Sequence, residues 1–429
     1  MRELTVVAEQ LLAPVPGGTG RYTAELLRAL AETAPDGWRV GSVVARHADV
    51  GAARIDGVAG PRVLPVPRRV LTELWRRGLP WWPGGDAVHA PTPLAPPRAP
   101  RGRTLSVTVH DTVPWTHPET LTPRGVSWHR AAITTALQRA DAVVVPTRAV
   151  AGDLARHVAG PDPVQVVGHG TTTWPHPARP DSARPDSARP ESERAESARP
   201  AARPGAVRPD AARPGPAPPE PASPGSAPSG SAPSGSAPSE SAPVDLPERY
   251  VLAIGTVEPR KGIDVLIRAM VGVDEVPLVL AGQSGWGGLD PRRVAADAGL
   301  PPGRVRVLGR LADADLATVL RGASVLAAPS LAEGFGLPVL EAMAEGVPVV
   351  HSDAPALVEV AGGAGVCVPR GDVDALAAAL REVLTGGKRA ASLARAGYTR
   401  AQAFTWRRAA AAVWRLHTAT ATAPATPEN

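Results

Sequence analysis

The sequence predicts an α/β protein of two Rossmann-like units whose parallel sheets face each other across a cleft. Three observations predict it. Short, continuous apolar runs alternate with helix-length amphipathic stretches in both halves of the chain. That is the pattern of strands buried on both faces by crossover helices. A long Pro-, Ala- and Ser-rich stretch separates the halves. Glycine-bearing loops follow strands in each half, at the carboxyl ends where open α/β sheets gather their ligands.

In the first half, strands are expected at Leu4–Ala8, Arg39–Val44, Ala87–His89, Thr104–His110, Ala142–Pro146 and Val164–Val167. Helices are expected at Ser127–Arg139 and Ala149–Val158, and behind the loop after the first strand, where Tyr22, Leu26 and Leu30 share a face. The second half repeats the scheme. Its strands are Tyr250–Gly255, Pro277–Ala281, Val305–Leu308, Val325–Ala328, Pro348–His351 and Gly365–Val368. Its helices are Gly262–Met270, Pro291–Ala298, Asp313–Leu320, Pro338–Ala344 and Val373–Leu384. A last helix, Thr405–His417, carries Trp406 and Trp414 and precedes no strand, so it is expected to pack back on the first domain. The expected domains are therefore 1–174, an insert 175–245, 246–404, the helix 405–418 and a disordered tail 419–429.

Composition narrows the function classes. The chain has 429 residues, 43% of them hydrophobic, which suffices for two ordinary cores. Its single cysteine, Cys367, excludes an internal disulfide framework and a cysteine-based zinc site. Set in the strand-like run Gly365–Val368, it is expected to be a buried structural thiol rather than a nucleophile. The apolar run after Met1 suits a first strand better than a signal peptide, and no stretch approaches eighteen apolar residues. A cytoplasmic protein is expected. Residues 175–243 hold 18 of the 50 prolines, lack Leu, Ile, Phe and Tyr, and echo Asp-Ser-Ala-Arg-Pro and then Gly-Ser-Ala-Pro-Ser. Such a segment buries too little apolar surface to offset its ordering entropy and reads as a flexible linker. Between residues 171 and 245 eight Arg stand against nine acidic residues, so the formal +5 charge comes from the folded parts. A basic surplus suits nucleotide phosphates or an anionic membrane surface; no basic helix or zinc finger points to nucleic acid.

Four constellations carry chemistry. The loop Pro16-Gly17-Gly18-Thr19-Gly20-Arg21 opens a helix, where backbone amides and the helix dipole favour a phosphate; a plain tight turn uses the same residues. His110-Asp111 ends a strand and either meets a sugar hydroxyl or caps locally. Gly255-Thr256-Val257-Glu258-Pro259-Arg260-Lys261-Gly262 places two cations before a helix, solvated or neutralising a diphosphate. The fourth is Glu333-Gly334-Phe335-Gly336-Leu337-Pro338, with Glu341 following on the helix. There loop amides converge on the helix N-terminus, and two carboxylates are suited to accept hydrogen bonds from sugar hydroxyls.

On these residues the sequence resembles the retaining glycosyltransferases of the glycogen-synthase-like family 4, especially its bacterial mannosyltransferase-like members. The signature spans Glu333 to Glu341, with Glu258–Gly262, His110-Asp111 and Gly17-Gly18 in matching order. The resemblance implies the GT-B fold, with the acceptor mainly on the first domain and a nucleotide-sugar donor mainly on the second. It implies that Glu341 holds the ribose hydroxyls and that Arg260 and Lys261 hold the diphosphate. Glu333, Gly334 and Leu337, with the amides of Phe335 and Gly336, would address the donor sugar. His110 would reach the sugar from the opposite domain, and Gly17 and Gly18 would lie against the diphosphate. It implies no metal and no cofactor, because protein cations stabilise the leaving group. Some members carry Arg where this chain has Thr256, which shifts phosphate neutralisation onto Arg260 and Lys261. The expected reaction is hexose transfer with retention, GDP-mannose favoured over UDP- or dTDP-sugars, to a hydroxyl acceptor, with peripheral membrane contact through Arg68-Arg69 and Arg76-Arg77. A sugar-nucleotide epimerase of the same fold and a non-catalytic nucleotide-sugar-binding protein are the alternatives.

Overall fold

Valine-, leucine- and alanine-rich runs of three to nine residues form the strands, and most are joined by helices whose apolar faces cover the sheet. The computed structural model describes residues 1–159, 164–172, 174, 244–285 and 287–419. The first half runs β1 (Arg2–Val7), α1 (Gly17–Glu32), β2 (Trp38–Arg46), β3 (Ala59–Pro67), α2 (Arg68–Arg76), β4 (Ala87–Ala90), β5 (Thr104–Thr108), α3 (Val113–Thr116), α4 (Pro123–Arg139), β6 (Ala142–Val145), α5 (Arg148–His157) and β7 (Val164–Val166). The second half runs β8 (Val251–Ile254), α6 (Ile263–Ala269), β9 (Leu278–Ala281), α7 (Pro291–Asp297), β10 (Val305–Gly309), α8 (Asp313–Arg321), β11 (Val325–Ala328), α9 (Leu337–Ala344), β12 (Val349–Ser352), α10 (Pro355–Ala361) and β13 (Val366–Val368). Then come α11 (Val373–Thr385), α12 (Gly387–Ala401) and α13 (Trp406–Thr418).

Both sheets are parallel throughout, ordered β3-β2-β1-β4-β5-β6-β7 and β10-β9-β8-β11-β12-β13. The order reverses between β1 and β4 in the first sheet and between β8 and β11 in the second. Such switch points open a crevice at the strands' carboxyl ends, because the flanking crossovers leave to opposite faces. The described residues of 1–174 and 244–419 form one compact unit, and a continuous apolar cluster links its halves, from Tyr22 and Leu26 through Phe335 to Trp406 and Trp414.

α13 belongs to the second half in sequence and to the first in space. Trp414 donates its indole N–H to Leu30 O at 3.2 Å, and its ring stands edge-on to Trp38 at 5.7 Å. His417 Nδ1 lies 2.7 Å from Thr104 Oγ1, and its Nε2 lies 2.8 Å from Ser106 Oγ. The seam continues through His89 and Thr108 to the Tyr22 hydroxyl. Burial keeps His89 and His417 neutral, with pKa values pushed down to about 3 in each case; for His89 the neighbouring His417 and His110 add to the shift.

Cys367 corrects an expectation: the thiol is exposed. β13 is the edge of its sheet and only three residues long, so the face on which Cys367 stands is left uncovered. The linker expected at 175–245 lies outside the described residues except for Val244 and Asp245, and so does the tail beyond 419. No helix among the described residues is long and apolar enough to cross a membrane.

Candidate active site

The two loops at the β8/β11 switch point are stitched together. Leu331 N–H donates to Arg260 O at 2.8 Å, and Arg260 Nη1 donates to Ala332 O at 2.9 Å. Gly262 makes the approach feasible. It sits at φ +63°, and a Cβ there would stand 2.3 Å from Pro329 O. Lys261 Nζ lies 2.5 Å from Glu333 Oε1, which also accepts from Ser330 Oγ at 2.9 Å. Arg260 pairs with Glu258 at 2.6 Å and stands 3.7 Å from Glu333. Burial alone would raise the Glu333 carboxyl, but the charges of Lys261 and Arg260 and the hydrogen bonds from Lys261 and Ser330 hold it below its usual value. Lys261, Ser330 and Glu333 line a cleft of about 330 Å³ with Gly336, Pro338 and Leu357. A larger groove between α2 and α4, lined by Trp75, Leu94 and Trp128, lies in the first half away from these cations.

Pro338 is the second residue of α9 rather than the first, and Gly336 at φ +93° is the N-cap. The Glu333–Leu337 loop thus delivers its backbone to the helix N-terminus, an arrangement that favours an anion or a hydroxyl oxygen. Phe335 turns away into the aromatic cluster, 4.3 Å from the His169 ring. Glu341, one turn into α9, is fully enclosed: its Oε1 accepts from Arg21 Nη1 and from Thr172 Oγ1, each at 2.9 Å.

The first half meets this loop directly. Gly334 packs so tightly on the chain after β5 that a Cβ would lie 1.8 Å from His110 O, and its own carbonyl accepts from Thr147 Oγ1 at 3.1 Å. His110 is half-buried, and Pro91 O lies 2.8 Å from its Nε2. Burial lowers its pKa against the opposing pull of that bond and of Asp111, so the ring is neutral near pH 7. Tyr22 stands edge-on beneath it at 4.7 Å. Asp111 Oδ1 accepts from Val113 N–H and caps α3. The Arg260 charge is coupled to Asp111 across the cleft. Gly17 and Gly18 form the first turn of α1, and a Cβ on Gly18 would touch Leu337 at 3.9 Å. The structure therefore gathers His110, Arg260, Lys261, Glu333, Gly334, Gly336, Leu337 and Glu341 at one junction, with Gly17 and Gly18 at its rim. Sequence reading gave no role to Arg21, Ser330 or Thr172. A cation one turn inside a glycine-started helix was the available signal for Arg21; Ser330 and Thr172 left none. Among the described residues no three His, Cys, Asp or Glu side chains converge as in a metal site.

Comparison with known proteins agrees with this layout. Residues 16–173 match the family model described as Glycosyltransferase Family 4, and residues 239–400 match that described as Glycosyl transferases group 1. The chain is 39% identical over 162 residues to O-antigen chain mannosyltransferase B of Escherichia coli, covering 37% of this chain and 42% of that one. It is 36% identical over 172 residues to phosphatidyl-myo-inositol mannosyltransferase of Mycobacterium leprae, covering 38% of this chain and 45% of that one. The chain thus spans less than half the length of these curated relatives. Among solved structures, sucrose-phosphate synthase from Thermosynechococcus elongatus superposes with a TM-score of 0.65 at 22% identity, over 97% of this chain and 98% of that one. Anabaena Alr3699/HepE in complex with UDP and glucose superposes with a TM-score of 0.62 at 16% identity, over 98% of this chain and all of the other.

Proposed function

Because the chain belongs to the family 4 glycosyltransferases and has their GT-B fold, we propose that it transfers a hexose from a nucleoside-diphosphate sugar to a hydroxyl acceptor, retaining the anomeric configuration and using no metal. The observation that carries this reading is the junction itself. Two cations, an ionised carboxylate and a helix N-terminus converge at the β8/β11 switch point, opposite a neutral histidine from the other half.

In this reading the diphosphate lies against Arg260 and Lys261, whose charges stabilise the leaving group as its bond to the sugar breaks. Lys261 is then shared between Glu333 and phosphate. Glu333, kept ionised, accepts hydrogen bonds from the donor sugar, and the Gly334–Leu337 backbone fixes the sugar's position. Glu341 meets the ribose. His110, with Nε2 engaged by Pro91, presents a neutral ring edge and its own backbone to the sugar. In this reading no described side chain acts as a nucleophile; the acceptor hydroxyl attacks from the side the diphosphate leaves, and the departing phosphate oxygen takes its proton. The names of the curated relatives favour mannose, hence GDP-mannose. The arginines of α2 are the proposed contact with an anionic membrane surface, although Arg76 and Arg77 already share Glu73.

The test is thermal stabilisation by GDP-, UDP-, dTDP- and ADP-sugars, followed by turnover and determination of the product's anomeric configuration. One nucleotide class should stabilise the native chain by mass action. Lys261→Ala should lower kcat/KM by about a hundred- to a thousandfold while the fold persists. An inverted product rejects retention. Turnover of donor alone would point to an epimerase, and binding without turnover on any acceptor to a non-catalytic binder.

A further inference from the structure

The surroundings of Glu341 are lopsided. Oε1 accepts from both Arg21 Nη1 and Thr172 Oγ1, each at 2.9 Å. A carboxylate oxygen offers two lone pairs in its plane, so Oε1 is saturated. Oε2 is equally buried and has no partner. Arg21 is held on its other sides by Asp313 Oδ1, 3.3 Å from Nη2, and by the Trp174 ring, 4.6 Å from the guanidinium carbon. The indole N–H of Trp174 is buried and likewise has no acceptor. Around one guanidinium there stand an acceptor without a donor and a donor without an acceptor. A buried carboxylate oxygen without a donor calls for one, and a sugar hydroxyl can supply it.

We propose that Arg21 and Thr172 are positioning residues of the nucleotide site: by saturating Oε1 they leave Glu341 a single oxygen, so the enzyme reads only one of the donor's two ribose hydroxyls. The inference rests on the reading that Glu341 meets the ribose. A free carboxylate takes one vicinal hydroxyl on each oxygen with nearly linear bonds. With Oε1 filled, the second hydroxyl has no linear acceptor on Glu341. The substrate class widens accordingly. A nucleoside-diphosphate sugar lacking that second hydroxyl is accepted as well as the ribose form.

The experiment is titration calorimetry on the full chain with GDP and UDP, then with the 2′-deoxy and 3′-deoxy forms of whichever base binds. One monodeoxy analogue should lose about ten- to a hundredfold in affinity, the usual worth of a hydroxyl bonded to a carboxylate. The other should stay within about threefold of the ribonucleotide. Thr172→Val, equal in shape, opens a lone pair on Oε1, so the tolerated analogue should fall behind the ribonucleotide by about three- to tenfold, with the melting temperature checked to show an intact fold. Losses of tenfold or more for both analogues in the unaltered chain would overturn the single-oxygen reading while leaving the donor site standing. No loss for either would remove Glu341 from the ribose. Failure of every nucleoside diphosphate to bind would reject the donor reading itself and this inference with it.

Discussion

At the residue scale a severe constraint falls on Gly334, where a Cβ would lie 1.8 Å from the His110 carbonyl oxygen. Gly334→Ala must push the Glu333–Leu337 loop off the first half. We expect a Tm several degrees lower and turnover reduced by at least tenfold, checked by calorimetry and a donor-consumption assay. Gly262→Ala should be comparably damaging, because it combines a positive φ with a close approach to Pro329 O. The junction itself was legible in the sequence, since a strand, a glycine-bearing loop and a helix start follow one another around Glu333 and around Lys261. Partnerships were not. Lys261 with Glu333 spans 72 positions and Arg21 with Glu341 spans 320, and no local periodicity encodes such distances. The exposure of Cys367 was missed for a related reason: an apolar run marks a strand but not whether it lies at an edge.

At the scale of elements, strands covered on both faces were the readable part. β4, β6 and β11 are almost wholly buried and correspondingly apolar. β3 escaped notice. It is an edge strand, mostly exposed, and its Pro61, Pro65 and Pro67 are tolerable only where backbone donors need no partner. α2 hid among its arginines, and α12 buries only Leu393, Gly397 and Ala401, too thin a stripe to read as a helix face. α13 carries a pH dependence. His89 and His417, at about 3 in the fold, stand near 6.5 in an unfolded chain, so between those values the unfolded state binds more protons. Stability is therefore fully present above about pH 6.5 and declines as pH falls toward 3, by up to about 1.4 kcal/mol per pH unit for each group. His417→Gln should flatten part of that slope in melts run from pH 7.5 to 5. An unchanged slope would mean that α13 does not hold its histidine neutral.

At the scale of the whole molecule the halves are joined by more than the active-site loop. Glu359, on α10, accepts the backbone N–H groups of Arg148 and Ala149 at 2.9 and 3.0 Å, and so caps α5 of the other half. Glu359→Gln should remove about 1 kcal/mol and hasten amide exchange at the start of α5 well before any global unfolding. The two-unit layout was legible because each half repeats its own alternation of strand and helix. Their closure was not, since it depends on contacts such as this one. α13 has a further consequence for recombination between relatives. The first sheet's helix α1 presents Leu30, and the first-half strands Thr104 and Ser106, to a helix encoded after the whole second half. A hybrid that exchanges donor halves by a single crossover between the sheets would leave the first sheet facing a foreign lid. A viable graft needs two crossovers, the second between Phe404 and Trp406, so that residues 406–418 travel with the parent of the first half.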